Sequence, residues 1–270
     1  MQNNHFINQP LAIDKGYLTS VLTGIIMSYQ KENFLSELEI EAVAMHNIEL
    51  QAAEHQSNGS ESFPVVLNII GPIIKYSSWN YLGTQSIIKI LQRLENDDRV
   101  IAVVLNIDSG GGMVSGTAEL CNVLQNFSKP TYAFTNGYMC SAALDIAAAC
   151  KHRFSHPNAD LIGSLGVMMN YQDYSAMFEK WGATIYEVYA PQSTEKNKEF
   201  RELLKGDKTL YEERLAYLGN EFIARVKSNI GKSIKDDGKV FKGKTYTPKE
   251  ALKVGLIDGI ATLKEVLTQI

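Results

Sequence analysis

The run Val100–Ile107 is apolar almost throughout, ends in Asp108-Ser109-Gly110-Gly111-Gly112, and gives way to a helical pattern at Met113. A strand of that kind is buried on both faces, which calls for helices on either side of a largely parallel sheet. The neighbouring pattern agrees. Val65–Ile70 is a β-branched run closed by Gly71-Pro72, and Gly83–Asp97 is amphipathic, with Ile87, Ile88, Ile90, Leu91 and Leu94 on one side. Met113–Phe127 reads as helix, Thr131–Thr135 as strand and Ser141–Cys150 as an alanine-rich helix; Leu165–Asn170, Tyr174–Trp181 and Thr184–Tyr189 continue as strand, helix, strand. Such alternation specifies an α/β fold of βα units. Further on, Leu210–Ile230 carries a core-facing stripe of Leu215, Leu218, Phe222 and Val226, and Thr247-Pro248-Lys249-Glu250 is a capping box with proline at the first helical position.

The N-terminal stretch is different. Tyr17–Tyr29 and Phe34–Ala53 read as helices, and the polar run from Glu54 to Ser62 has linker composition. The expected organisation is therefore a helical arm and linker over 1–62 and an α/β domain over 63–270. The arm has too little apolar surface to stand alone and should pack on the domain or on another subunit.

Composition narrows the function classes. A net charge of −4 with 21% charged residues argues against a general nucleic-acid binder, which needs a basic excess or stripe. The three cysteines, Cys121, Cys140 and Cys150, are odd in number and form no C-x-x-C pair, so a reducing compartment is expected. MQNNHFINQPLAIDK has no basic segment leading into an apolar core, so it is not a secretory signal. The apolar run Tyr17–Met27 is too short to cross a bilayer. The expectation is a cytoplasmic protein that needs no metal, disulfide or cofactor.

Two loops carry the chemistry. In the first, glycines at 110–112 let the backbone turn sharply and aim amide N–H groups at an anion. A Walker loop is excluded because G-x-x-x-x-G-K-[ST] is absent, and the dinucleotide fingerprint fails because Ser115 stands where its last glycine belongs. An oxyanion hole is the remaining ligand-binding use. The second loop, Gly137-Tyr138-Met139-Cys140-Ser141-Ala142-Ala143, sets a serine at the start of a helix. In isolation Ser141 reads as a plain N-cap. The glycine turn at the end of a neighbouring strand makes it a nucleophile candidate, since sites in open α/β sheets gather at those strand ends. Cys140 is the adjacent rival, ranked lower because it falls outside the helix start.

A serine hydroxyl needs a base. Of the five histidines, His5, His46 and His55 lie in the arm or linker, and His152 and His156 follow Ser141 too closely to fold back on it. A buried lysine can serve, because desolvation disfavours its charged form, and Ser–Lys pairs are a recognised variant of the catalytic triad. Lys196, after the Thr184–Tyr189 segment, is the candidate; taken alone it reads as a solvated loop lysine.

Five ordered motifs add to this. Val65–Pro72, Asn106-Ile107-Asp108-Ser109-Gly110-Gly111-Gly112, Ser141-Ala142-Ala143, Gly163-Ser164-Leu165-Gly166-Val167 and Gly255-Leu256-Ile257-Asp258 resemble those of the signal peptide peptidase A (protease IV) family of serine peptidases, with its phage prohead protease branch. The resemblance runs from about Pro64 to Ile260. It implies a Clp protease/crotonase-like fold of repeated ββα units and a Ser–Lys dyad. Ser141 would be the nucleophile, Lys196 the general base, and Gly111 or Gly112 with the N–H of Ala142 the oxyanion hole. Two departures stand out. Gly110 replaces the usual proline, and a slightly longer stretch before the lysine makes Lys198 an alternative base.

The resemblance also implies a homo-oligomer in which Ala190–Lys205 reaches a neighbouring subunit. The setting it implies is phage or prophage head maturation, with scaffold or portal proteins as clients and the cytoplasm or prohead as the location. Two other readings stay open: a catalytically silent assembly protein of the same fold, and an acyl-CoA enzyme of the crotonase type. Cleavage preference, ring size and processing of the arm are not legible.

Overall fold

The structure, a computed structural model, describes residues 11–13, 62–77, 81–184 and 186–270. Five parallel strands form the main sheet, in the spatial order Gly259–Ile260 (β10), His152–Ser155 (β7), Thr131–Thr135 (β5), Val100–Asp108 (β3) and Phe63–Ile70 (β2). In β3, Val103, Val104, Leu105 and Ile107 are fully buried. Each aliphatic side chain taken from water in this way contributes about 1.5–3 kcal/mol. The doubly covered centre expected from the sequence is therefore present.

Around this sheet the chain repeats one unit. A long strand enters the sheet, a three-residue strand turns away from it, and a helix follows. In the first unit β3 leads to Gly111–Met113 (β4) and helix Thr117–Gln125 (α2); in the second, β5 leads to Tyr138–Cys140 (β6) and helix Ala142–Ala148 (α3). β7 then leads to Leu161–Gly163 (β8), which pairs with β6 in parallel and with Thr245–Tyr246 (β9) in antiparallel fashion. The short strands thus make a second layer at the C-terminal ends of the sheet strands. This is the repeated ββα architecture expected above.

Helix Thr84–Glu95 (α1) buries Ile87, Ile88, Ile90, Leu91 and Leu94, the side its amphipathic pattern predicts. All seven residues of α3 are buried, and it packs against α2, β4 and helix Thr209–Ile230 (α6). Four of those seven are alanines, whose small side chains permit so close an approach. In α6 the cover is uneven: Phe222, Val226 and Ile230 are buried, whereas Leu215 and Leu218 are only half-buried and Tyr217 is exposed.

Several expectations shift. The Thr184–Tyr189 strand does not form: its described residues belong to no strand, and Tyr186 and Val188 are 85% and 93% exposed. The segment has β-forming side chains, but its described residues pair with no strand among the described residues. The strand expected at Leu165–Asn170 is instead β8, four residues earlier in its start, because the chain breaks at Gly163 and Ser164, both with positive φ. The capping box at Thr247 is present, with its N–H donating to Glu250 Oε2 at 2.9 Å. The expected arm helices lie outside the described residues; within 1–62, Leu11–Ile13 forms a strand (β1).

Candidate active site

The two loops are stitched together by backbone. Ser109 and Met139 form a parallel bridge, in which the Ser109 N–H donates to the Tyr138 carbonyl (2.8 Å) and the Cys140 N–H donates to the Ser109 carbonyl (3.1 Å). Asp108 locks the same junction: its Oδ1 accepts the Tyr138 N–H at 2.9 Å. Gly137 must be glycine there, since a Cβ would lie 2.4 Å from that oxygen. Ser141 and the triple glycine therefore leave one bridge side by side.

Ser141 is fully buried, with φ 56° and ψ −120°. A residue bearing a Cβ is strained in that region by about 1–3 kcal/mol, and such strain collects at functional sites. The surroundings hold it. Its N–H donates to the Gly163 carbonyl at 2.7 Å, and its Oγ lies 3.4 Å from the Gly166 carbonyl. The Gly163–Val167 motif is thus a third wall, set against β9 where the Ser164 N–H donates to the Lys244 carbonyl at 2.9 Å. Ala142 follows as the first residue of α3.

The glycine turn divides its amides. The Gly111 N–H donates to Ser109 Oγ at 3.2 Å, and the Gly111 carbonyl accepts from Ile73 at 2.9 Å. The Met113 N–H donates to the Ile73 carbonyl at 2.8 Å, so the Gly111 carbonyl and the Met113 N–H both face Ile73. By the alternation of a strand, Gly112 turns its own N–H and carbonyl toward the opposite edge. No side chain fits at 112, where a Cβ would come 2.0 Å from the Ile73 oxygen.

The lysines stand elsewhere. Lys196 is exposed, and Lys198 is exposed and paired with Glu195 at 2.9 Å. Among the described residues neither is hydrogen-bonded to Ser141. Of the described histidines, His152 stacks on Tyr132 with ring centroids 4.9 Å apart, and His156 Nδ1 accepts the Asn158 N–H at 3.1 Å. The rival Cys140 directs its thiol to the Leu161 carbonyl at 3.3 Å. Burial pushes the Cys150 thiol up to about 12, and burial followed by the Asp145 charge raises that of Cys121.

One buried ion pair escaped the sequence reading. Asp145, on α3 one turn beyond Ser141, is 1% exposed and takes a bidentate fork from Arg225 of α6, with Nε at 3.0 and 3.1 Å and Nη2 at 2.5 Å. Burial raises the Asp145 carboxyl above its ordinary range, while the Arg225 hydrogen bonds and charge oppose that rise. An acid inside the run Ala142–Ala149 was the available signal, because a buried carboxylate requires a partner. Nothing local pointed to Arg225. The pair borders a shallow surface depression lined by Val114, Thr117, Ala142, Val167 and Phe222 as well, so the wall beside Ala142 is mainly apolar.

A strained buried serine thus stands against a glycine turn at the strand ends. Residues 124–270, more than half of the chain, match Peptidase family S49, and the chain belongs to that family. Among its relatives, a protein of Methanocaldococcus jannaschii named as a protease is 28% identical over 191 residues, covering 68% of this chain and 59% of that protein. Capsid assembly protease C of Escherichia phage lambda is 27% identical over 188 residues, covering 69% of this chain and 42% of its own length. Protease 4 of Haemophilus influenzae is 22% identical over 208 residues, covering 76% and 34%. The chain thus spans between about a third and three-fifths of the length of these relatives. Among solved structures, the 1510-N membrane-bound stomatin-specific protease aligns over 76% of this chain and 82% of its own, at 20% identity and a TM-score of 0.49. No helix among the described residues is long and apolar enough to cross a membrane.

Proposed function

We propose that the chain is a serine endopeptidase acting through a Ser141–Lys196 dyad. The observation that carries this reading is the Ser141 backbone, held in a conformation a serine disfavours by Gly163 and by the bridge to the glycine turn. In the proposed reaction, neutral Lys196, or alternatively Lys198, takes the hydroxyl proton as Ser141 Oγ attacks a peptide carbonyl. The Ala142 amide receives the oxyanion, joined by the Gly111 amide when it leaves Ser109 Oγ, and the leaving amine takes the proton back. Water then hydrolyses the acyl-enzyme. The outward-facing amide and carbonyl of Gly112 suit the backbone of an extended substrate better than the oxyanion.

Because both lysines are exposed and apart from Ser141, the base must be brought to it. The segment around them exposes Trp181, Tyr186, Val188 and Leu204, apolar groups that favour cover by a second copy of the chain. We therefore extend the proposal to a homo-oligomer in which one protomer's lysine segment completes or buries its neighbour's site. The setting proposed is phage or prophage head assembly in the cytoplasm or prohead, with scaffold or portal proteins cut; two relatives with phage-head names support it. Genes for portal and capsid proteins beside this one would be expected.

The test is hydrolysis of a protein or peptide substrate by the wild type and by Ser141→Ala. Activity should rise toward alkaline pH as the lysine loses its proton, and the variant should fall to background. A variant as active as wild type rejects the assignment, and a rate flat from about pH 6 to 9 rejects the lysine base.

A further inference from the structure

The outer edge of the glycine turn is already taken by the chain itself. β1 pairs antiparallel with β4, with Leu11 opposite Met113, Ala12 opposite Gly112 and Ile13 opposite Gly111. The Gly111 carbonyl and the Met113 N–H face Ile73, in the parallel bridge of Ile73 with Gly112, so the pair that exchanges hydrogen bonds across the other edge is Ala12 with Gly112. Direction matters as much as occupancy. β1 runs from Met113 toward Gly111, and Gly111 is two residues from Ser109, the residue bridged to the Ser141 loop. A chain laid along β4 in this sense advances toward the serine.

Resting on the peptidase reading above, we propose that Leu11–Ile13 is a built-in competitor of substrate. It holds, in the same strand direction, the edge along which an extended peptide must lie for its carbonyl to reach Ser141. An unpaired strand edge is a ready template for a further strand, and backbone pairing of this kind recognises any extended peptide with few side-chain demands. Three residues of pairing are weak by themselves. Carried on the same chain, however, they compete intramolecularly, at an effective concentration that does not fall on dilution. Substrate binding then requires β1 to leave, so the site is partly closed until a peptide of higher affinity displaces it.

The closing experiment measures binding in the Ser141→Ala background, where no turnover is needed. The probe is a fluorescent peptide of sequence Gln-Pro-Leu-Ala-Ile-Asp, titrated by anisotropy against full-length Ser141→Ala and against the same chain carrying Ala12→Pro or Leu11→Pro. Proline at 12 removes the N–H that faces Gly112, whereas the Leu11 N–H faces away from β4. Ala12→Pro should tighten binding about tenfold, the gain when a site nine-tenths closed becomes free, and Leu11→Pro should change it far less. Protection of the Gly112 amide from hydrogen exchange should fall in Ala12→Pro, which reports release of β1 even if the probe is held weakly. Equal affinity in all three chains, or no loss of Gly112 protection, overturns the proposal. Loss of peptidase activity as a whole would strike the dyad and leave these binding and exchange readouts standing.

Discussion

Two stretches of one chain carry the two halves of the proposed chemistry, and they are built in opposite ways. The serine half, from β3 through β8, is stitched by backbone hydrogen bonds, fully buried at Ser109 and Ser141, and backed by a buried ion pair. The lysine half, around 171–205, has two short helices, Ser175–Lys180 (α4) and Lys198–Leu204 (α5), neither with a buried residue. The contrast teaches that, in the proposed dyad, folding alone sets the serine and the glycine turn, while the lysine is left to whatever covers its segment. Pre-organised donors cost no reorganisation during reaction. A lysine, in contrast, must be desolvated before it is a useful base at neutral pH. On the proposed dyad, an isolated protomer whose lysine stays exposed should be inactive.

That comparison is broken most forcefully through the lysines. Lys196→Ala should lower the rate about 10²–10⁴-fold, the usual worth of a general base. Its melting temperature should hardly move, because an exposed loop side chain contributes within about 0.5 kcal/mol. Lys198→Ala measured beside it identifies the base, and a large stability loss in either would contradict the loose lysine half. The next effect is on the serine half. Arg225→Ala leaves Asp145 buried and unpaired, which should cost about 3–5 kcal/mol in denaturant unfolding. Little change would mean that α3 is not anchored through this pair.

A smaller effect sharpens the strain argument. Ser141→Gly should abolish turnover yet raise stability by about 1 kcal/mol, since glycine tolerates positive φ and relief of strain outweighs its greater unfolded-state entropy. A destabilised glycine variant would count against strain at 141. The smallest expected signal is chemical. At pH 8 a thiol reagent should leave Cys121, Cys140 and Cys150 unlabelled in the native chain and label all three in denaturant, as all are buried. For Cys150 the folded-state value lies above the ordinary 9.0, at about 12. The stability linked to it is therefore complete below pH 9 and lost as pH rises through about 12. Rapid native labelling would show that the serine half opens.

Legibility in the sequence followed the same divide. β3, β5, α1, α3 and the two functional loops were readable because burial on both faces and glycine-rich turns leave compositional marks. The partnership of Ser141 with Gly163 and Gly166, the Asp108 clamp on the second loop and the Asp145–Arg225 pair join residues distant in sequence, and no local pattern encodes them. Thr184–Tyr189 misled because β-branched and aromatic residues favour a strand only where an edge is present to pair with. The pairing of β1 with β4 was invisible for a similar reason: Leu-Ala-Ile carries no periodicity that names its neighbour.

Reaction with a fluorophosphonate, followed by mass mapping of the adduct, tests the central claim most directly. The account predicts one phosphonyl group per chain, on Ser141, formed quickly in the wild type and slowly in Lys196→Ala. An intact protein with no adduct, or an adduct on another residue at the wild-type rate, would contradict it.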